Sequence, residues 1–252
     1  MRILLVNDDG INAPGLEVME EIAAKIADGG EVWTVAPETE RSGASHCVSY
    51  TSPMRLTALG PRRFCIEGHP ADCTIAGVAE IMPEPPDLVL SGVNRGHNVA
   101  EDAVYSGTIA GAKEGAIQGV RSIALSQYFD LQNGPEDQFS SARAYGVEAV
   151  RKALSLPWRD DVFYNINFPA VAAEKVKGLR LSHQGRRGGA FMVEPFSSPN
   201  GRKYLWLRHS GRNLEAGDGA DSTLCAQGYV TLTPMRPDLT DHALLEEAEA
   251  VF

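Results

Sequence analysis

Met1-Arg-Ile-Leu-Leu-Val-Asn-Asp-Asp-Gly-Ile-Asn-Ala-Pro-Gly-Leu16 is the stretch of sequence that decides the fold. Ile3–Val6 is a continuous apolar run, long enough for a buried parallel strand and too short for a membrane span. The run ends in the polar residues Asn-Asp-Asp-Gly10, and apolar residues at helical spacing follow between Leu16 and Ile26. The stretch therefore predicts a β-strand, a loop and an α-helix.

Two adjacent carboxylates, Asp8 and Asp9, lie in that predicted loop. In open α/β sheets the carboxyl ends of the strands are where ligands bind. Neighbouring ionised carboxylates repel each other unless a cation or a proton lies between them. An ordinary Asp-Gly turn with a capping aspartate is the alternative interpretation. The stretch alone leaves an acidic metal site and a simple turn equally open.

Composition narrows the class of protein. The 252 residues allow one large α/β domain or one domain with an appendage, and a hydrophobic fraction of 43% is ample for a core. The formal net charge of −10 argues against a partner that is a nucleic acid polymer. It leaves a phosphorylated small substrate open, because a bound divalent cation can reverse the local charge.

The cysteines and the absence of targeting signals predict a cytoplasmic protein with no membrane partner. Cys47, Cys65, Cys73 and Cys225 form no C-x-x-C pair, which is typical of reduced thiols. The first residues show no basic-then-apolar signal region. No apolar run approaches the roughly 20 residues of a membrane span.

Strands alternate with helices along the first part of the chain. Strands are predicted at Glu31–Pro37, Val48–Leu59, Arg63–Glu67, Asp87–Asn94 and Ser122–Ser126. Helices are predicted at Ala71–Met82, Ser106–Ile117 and Gln138–Leu154. Short apolar strands alternating with helices indicate a three-layer α/β sandwich with a mostly parallel sheet, whose core covers roughly residues 1–126.

The composition changes after Pro157, and the remainder is predicted to be a β-rich C-terminal extension. Its predicted strands are Val162–Phe168, Leu179–His183, Met192–Pro195, Lys203–Arg208 and Gly228–Pro234. Asn200-Gly201 predicts a hairpin turn, and Asp241–Val251 a terminal helix. We therefore expect a catalytic core at 1–157, and at 158–252 a last core strand, a β-hairpin extension and an oligomerisation element.

The predicted loops at the carboxyl ends of the strands carry oxygen ligands. If the strands lie side by side, Asp8 and Asp9 meet Ser42 from the second loop and Asn94 from a later one. Carboxylate, hydroxyl and amide oxygens suit Mg²⁺ or Mn²⁺ better than zinc. These four residues are therefore the predicted ligands of a divalent cation.

Ser106-Gly107-Thr108 stands directly before a predicted helix. Free N–H groups and hydroxyls at a helix N-terminus can bind phosphate, although a plain Ser/Thr cap is the simpler interpretation. A neighbouring cation site favours phosphate, with Asn12 and Arg95 as further candidate substrate-binding residues. Neither the G-x-x-x-x-G-K-[ST] loop, a G-x-G-x-x-G turn nor a G-x-S-x-G elbow is present.

A cation beside a phosphate site indicates phosphoryl transfer to water. Asp8 and Asp9 are the candidate catalytic residues, and either could act as a base or as a nucleophile. Among the histidines, His97 is the one whose position, on the loop of Asn94, favours a functional role at the site. Tyr105 could pack against a base or sugar, or could simply be buried.

Several motifs together resemble the SurE (stationary-phase survival) nucleotidases. They are Asn7-Asp-Asp-Gly10, Ala36-Pro37 with Glu40-Arg-Ser-Gly43, Pro70-Ala-Asp-Cys73, Ser91-Gly-Val-Asn-Arg-Gly96, Tyr105-Ser-Gly-Thr108 and Gly228-Tyr-Val-Thr-Leu-Thr-Pro234 with Asp238-Leu-Thr240. They follow the family's order through nearly the whole chain.

The resemblance implies a Rossmann-like core and a metal-dependent 5′-nucleotidase that also acts on 3′-nucleotides and short polyphosphate. It implies one divalent cation, Mg²⁺ or Mn²⁺, per subunit on Asp8, Asp9, Ser42 and Asn94, and a homodimer or homotetramer that exchanges C-terminal elements. His69 and His97 depart from the family's usual residues, which leaves substrate preference open.

A phosphorylation-switch receiver module is the alternative from another class, because it too pairs acids after its first strand to bind Mg²⁺. Such a switch needs a phosphoacceptor aspartate at the carboxyl end of a central strand. Here that strand ends at Asn94, and Asp87 lies at its other end.

Overall fold

A nine-stranded sheet forms the central layer of the computed structural model, which describes residues 1–186, 188, 191–209 and 217–252. Its strands in chain order are β1 (Arg2–Val6), β2 (Glu31–Pro37), β3 (Leu56–Gly60), β4 (Arg63–Ile66), β5 (Leu88–Arg95), β6 (Ser122–Gln127), β7 (Phe163–Phe168), β8 (Leu179–Leu181) and β11 (Val230–Met235). Their order across the sheet is β3-β4-β2-β1-β5-β6-β7-β11-β8. A separate antiparallel pair consists of β9 (Phe191–Ser197) and β10 (Lys203–His209).

Helices cover both faces of the sheet. They are α1 (Pro14–Ala27), α2 (Pro70–Ala76), α3 (Asp102–Tyr105), α4 (Gly107–Ile117), α5 (Ser140–Leu154), α6 (Asp221–Ala226) and α7 (His242–Glu249). Helices α1 and α5 pack together over one face, and α2 packs against α4 over the other. The predicted three-layer α/β sandwich with a mostly parallel sheet is confirmed. None of the described helices has the length and apolar character to cross a membrane.

Strand β1 lies in the interior of the sheet, next to the middle strand β5, and it is apolar on both faces. Ile3 and Leu5 pack into the core beneath α1 and α5, whereas Leu4 and Val6 pack into the core beneath α2. All four side chains are fully buried. Burying a side chain of this size contributes about 1.5–3 kcal/mol, so a continuous apolar run is what a strand covered on both faces requires.

Parallel pairing brings the loops of interest to one edge of the sheet. Strand β1 pairs in parallel with β2 on one side and with β5 on the other. The loops that follow these strands therefore emerge at the same edge. There the backbone N–H of Arg41 donates to the carbonyl oxygen of Asp8 (2.7 Å), and the N–H of Arg95 donates to Asp9 Oδ2 (2.9 Å).

Some elements differ from the sequence prediction. The strand predicted at Val48–Leu59 begins only at Leu56, because the backbone N–H of Ser49 donates to Asp72 Oδ1 (2.8 Å) and ties this segment to α2. The helix predicted at Ala71–Met82 ends at Ala76 and continues as a π-helical turn over Gly77–Ile81. Helices α3 and α6 were not predicted.

The C-terminal part contributes more to the main sheet than the sequence indicated. Strand β7 continues the parallel series beside β6, β11 joins it antiparallel, and β8 forms the far edge. The expectation that the core ends near residue 126 is therefore wrong for the sheet. The hairpin predicted at Asn200-Gly201 is present between β9 and β10, and α7 is the predicted terminal helix. The division into 1–157 and 158–252 stays a prediction.

Candidate active site

The loop after β1 is shaped by its own asparagine. Asn7 Nδ2 donates to the carbonyl oxygen of Gly10 (2.8 Å), and the N–H of Gly10 donates back to Asn7 Oδ1 (3.3 Å). Gly10 has φ 101°, a conformation that residues with a side chain rarely adopt. This closed turn holds Asp8 and Asp9 at the edge of the sheet.

Asp8 is packed against the beginning of α4. Its side chain is 3% exposed, and Thr108 Oγ1 donates a hydrogen bond of 2.5 Å to Asp8 Oδ1. A Cβ atom added to Gly107 would lie 2.8 Å from Asp8 Cβ and 3.0 Å from Asp8 Oδ2. Only glycine therefore allows the helix to begin this close to the acid.

Both acids have raised pKa values. Burial, reinforced by the charge of Asp9, raises the pKa of Asp8 to about 7, although the hydroxyl and backbone N–H of Thr108 oppose the shift. Burial also raises the pKa of Asp9. The backbone N–H of Arg95, which donates to Asp9 Oδ2 (2.9 Å), opposes that shift, and the charge of Glu40 adds to it. Burial and neighbouring negative charge thus both disfavour the ionised forms of these acids.

A cleft of about 260 Å³ opens beside Asp8. Its walls include four further predicted site residues, Ser42, Asn94, Arg95 and Ser106. Ser42 Oγ donates to Glu40 Oε1 (2.8 Å), and Asn94 Nδ2 donates to the carbonyl oxygen of Gly96 (2.9 Å). Residues from the loops after β1 and β2, from the end of β5 and from the start of α4 therefore face one cavity.

Asp9 and Arg95 connect the site to a second cavity. Asp9 lines a neighbouring cavity of about 430 Å³ together with Glu40, and Arg95 lines both cavities. The guanidinium carbon of Arg95 lies 5.8 Å from the ring centroid of Phe129. Asn12 is exposed and is not part of either lining.

The predicted phosphate segment is partly occupied by contacts within the protein. Ser106 Oγ accepts a hydrogen bond from the N–H of Ile109 (3.1 Å), which makes Ser106 the N-cap of α4. The Thr108 hydroxyl is bound to Asp8, and Gly107 packs against the same side chain. The plain helix cap is therefore present, and phosphate binding by these residues stays a prediction.

The donors at the cleft fit a hard divalent cation. Asp8 in the cleft and Asp9 in the neighbouring cavity supply carboxylate oxygens, and Ser42 and Asn94 in the cleft supply a hydroxyl and an amide. A cation here would offset the repulsion and the loss of hydration that raise the pKa of Asp8. Across the described ranges, no three histidine, cysteine, aspartate or glutamate side chains form a group that could hold a metal ion, so a cation here would also need the oxygens of Ser42 and Asn94.

Sequence reasoning missed the aromatic side of the cleft. Tyr128, Phe129 and Phe191 line it, as do His97 and Tyr105, which the sequence had marked. Tyr128 follows the end of β6, a position that could have identified it. Phe191 comes from the distant hairpin, and no local signal could have placed it here.

His97 and His69, whose roles the sequence left open, both pair with aspartates. His97 Nδ1 lies 3.1 Å from Asp102 Oδ2, and its ring centroid lies 4.5 Å from that of Tyr128. The N–H of His69 donates to Asp72 Oδ2 (2.8 Å) at the start of α2. His97 therefore belongs to the cleft, whereas His69 organises the segment around α2.

The fold and the cleft define an α/β protein with an acidic, oxygen-rich site at the carboxyl edge of its sheet. Residues 3–190 match the family described as "Survival protein SurE". The chain is 51% identical over 261 residues to "5′-nucleotidase SurE" of Ruegeria pomeroyi and 50% identical over 253 residues to that of Roseobacter denitrificans. These alignments cover 100% and 97% of both chains, respectively.

A solved structure shows the same fold. The crystal structure of the SurE protein from Aquifex aeolicus superposes with a TM-score of 0.83 at 33% identity and covers 100% of this chain and 99% of that one. This chain belongs to the SurE family. The family resemblance seen in the loop motifs is confirmed.

Proposed function

We propose that this chain is a divalent-metal-dependent phosphomonoester hydrolase that removes phosphate from nucleoside 5′-monophosphates. The observation that carries the proposal is the common cleft of Asp8, Ser42, Asn94 and Ser106. The full-length relatives named 5′-nucleotidase support the nucleotide as substrate. Acidic ligands for a cation beside the amide end of a helix are the groups that phosphate transfer needs.

Asp8, Asp9, Ser42 and Asn94 would hold one Mg²⁺ or Mn²⁺ ion per subunit. When bound, such an ion neutralises phosphate oxygens and lowers the pKa of water. Oxygen ligands favour these two ions over zinc.

The chain's own residues position the acids and the substrate. Thr108 and the close approach of Gly107 hold the Asp8 carboxylate at one place, and the N–H of Arg95 holds Asp9. Arg95 and the amide end of α4 would orient the phosphate, with Asn12 as a further contact from the first loop. One of the two acids would either accept a proton from the water that attacks phosphorus, or attack phosphorus itself to form an acyl phosphate that water then hydrolyses. In both cases the bond between phosphorus and the ester oxygen breaks, and the nucleoside leaves as an alcohol.

The finer substrate range and the assembly are part of the proposal. We include 3′-nucleotides and short polyphosphate as further substrates, and exclude nucleic acid polymers and membranes as partners. We also propose that the protein is located in the cytoplasm and forms a homodimer or homotetramer. The exposed apolar side chains of β9 and β10, including Leu205 and Trp206, support contact with another subunit.

The receiver-module alternative is disfavoured by β5. This strand runs from Leu88 to Arg95, so Asn94 stands near its carboxyl end where a phosphoacceptor aspartate is needed. Asp87 lies before the strand, at the opposite edge, where its Oδ2 accepts a hydrogen bond from the N–H of Arg2 (2.7 Å).

The test compares AMP with acetyl phosphate. Release of phosphate from AMP with Mn²⁺, lost in Asp9→Ala, supports the hydrolase. Stable labelling by acetyl phosphate without turnover supports the switch. Asn94→Ala is expected to weaken Mn²⁺ binding, and an unchanged Mn²⁺ titration would remove Asn94 from the ligand set.

A further inference from the structure

Aromatic side chains form part of the wall of the cleft beside Asp8. Tyr105 is 43% exposed and Phe191 is 40% exposed, although both line the cleft. Their ring centroids lie 5.2 Å apart with an interplanar angle of 82°, an edge-to-face pair. Tyr105 is therefore not the simply buried side chain that the sequence left as one alternative.

The backbone of Tyr105 is fixed on both sides. Its carbonyl oxygen accepts a hydrogen bond from the N–H of Ser45 (3.0 Å), and Ser45 Oγ donates to the carbonyl oxygen of Val104 (2.8 Å). Ser106, the next residue, caps α4. The ring is thus exposed to the cleft on a rigid base, an arrangement that lowers the entropic cost of binding a flat ligand.

The other aromatic rings of the cleft are engaged by neighbouring side chains. Phe129 contacts the Arg95 guanidinium and the ring of Phe139, whose centroid is 4.9 Å away. The ring of Tyr128 packs against His97 at 4.5 Å. Among the described aromatic residues of this cleft, Tyr105 combines a large exposed area with a backbone tied to the site.

Tyr105 lies close in sequence to the residues proposed to bind phosphate. It is separated from Thr108, which binds Asp8, by only two residues. A phosphate beside Asp8 and Ser106 would leave its nucleoside within the same cleft. Because a nucleobase is uncharged, the negative charges of Asp8 and Asp102, which line this cavity, repel it only weakly.

We propose that Tyr105, supported at its edge by Phe191, is the stacking platform for the nucleobase of the substrate. This inference rests on the proposed function and adds the location and chemistry of base recognition. Stacking reads the flat face of a base and not its edge pattern, so purine and pyrimidine monophosphates would all be accepted.

The test removes the aromatic face while keeping an apolar side chain. Tyr105→Leu is expected to lower kcat/KM for AMP roughly tenfold or more, mainly by raising KM, because a stacked base commonly contributes that much. Hydrolysis of ribose 5-phosphate, which has no base, should stay unchanged. Tyr105→Phe should restore AMP hydrolysis. Tyr50→Ala, at a tyrosine that is 87% exposed and outside the cleft lining, is the matched control.

Two results overturn the platform. One is an equal loss for AMP and ribose 5-phosphate, which would mean that the substitution disturbs the start of α4. The other is unchanged AMP kinetics in Tyr105→Leu, which would place the base elsewhere.

Adenosine binding to the unaltered protein and to Tyr105→Leu, measured calorimetrically, separates this inference from the proposed function. If adenosine binding depends on Tyr105 but the protein hydrolyses neither AMP nor ribose 5-phosphate, the stacking platform is supported and the proposed hydrolase function is refuted. A protein that neither binds adenosine nor hydrolyses AMP refutes both.

Discussion

Thr108 Oγ1 donates a 2.5 Å hydrogen bond to Asp8 Oδ1, across 100 positions of sequence. The bond joins the first turn of α4 to the loop that follows β1. It fixes one oxygen of a buried carboxylate, and it works against the burial that raises the pKa of Asp8. The orientation of the acid at the centre of the proposed site therefore depends on a residue outside its own loop.

Thr108→Val should lower kcat/KM for AMP by about 10- to 100-fold, since a hydrogen bond to a charged group contributes about 1.5–3 kcal/mol. Steady-state kinetics at saturating Mn²⁺ measure the effect. Thr108→Ser keeps the hydroxyl and serves as the control. Equal activity of the valine and serine variants would show that the bond has no part in the reaction.

Gly107→Ala should displace Asp8, because the new Cβ would lie 2.8 Å from Asp8 Cβ. We expect a loss of activity of at least about tenfold, as for misplacement of a reacting group, with weaker Mn²⁺ binding measured by calorimetry. Gly60→Ala is the matched control, because the nearest atom to its Cβ is 3.9 Å away. Normal Mn²⁺ binding in Gly107→Ala would contradict the close approach.

Removing and restoring the cation should change thermal stability. Saturating Mn²⁺ at about 100 times its Kd stabilises by about 2.7 kcal/mol, which for a chain of this size raises Tm by about 5–10 °C. Differential scanning calorimetry with and without EDTA measures the shift. Asp8→Asn should abolish it, whereas Glu246→Gln on exposed α7 should retain it. A full shift in Asp8→Asn would remove Asp8 from the ligand set.

The buried Glu114 should give the fold an acid-sensitive component. Although burial raises its pKa, hydrogen bonds from His46 (2.8 Å) and Gln118 (2.8 Å) outweigh that effect and leave the pKa below its usual value of 4.5. A carboxyl group with a lowered pKa stabilises the fold above its unfolded value, and that contribution is lost as pH falls through the folded value.

Glu114→Gln should therefore be less stable than the unaltered protein at pH 7, and this deficit should shrink as the pH falls below about 4.5. Urea unfolding at several pH values provides the measurement. A deficit that stays constant down to pH 3.5 would show that the ionised form of Glu114 has no special partners.

The β9–β10 hairpin should mediate assembly. Leu205 is 73% exposed and Trp206 is 60% exposed, a density of apolar surface that is typical of an interface. Trp206→Asp should shift the protein towards the monomer in sedimentation velocity runs. Leu131→Asp, at an exposed leucine far along the chain from the hairpin, is the control. A monomeric unaltered protein would refute the proposed assembly.

Much of the fold could be predicted because its signals are local. The apolar run of β1, the helical spacing after Leu16 and the Asn200-Gly201 turn each depend on neighbouring residues, and each is present in the structure. The strand expected from Val48 failed because a side chain distant in sequence, Asp72, binds Ser49. The positions of β8 and β11 in the sheet could not be predicted either, because strand propensity does not show which strands pair.

The sequence by itself determined that two acids follow a buried central strand, that oxygen ligands and a helix start follow neighbouring strands, and which family these motifs resemble. Only the tertiary structure decided that Gly107 and Thr108 hold Asp8 and that Phe191 reaches Tyr105 from the hairpin. The physical reason is the range of the interactions. Backbone periodicity and turn chemistry act over a few residues, whereas the shape and charge of the cleft arise from contacts between segments about a hundred positions apart.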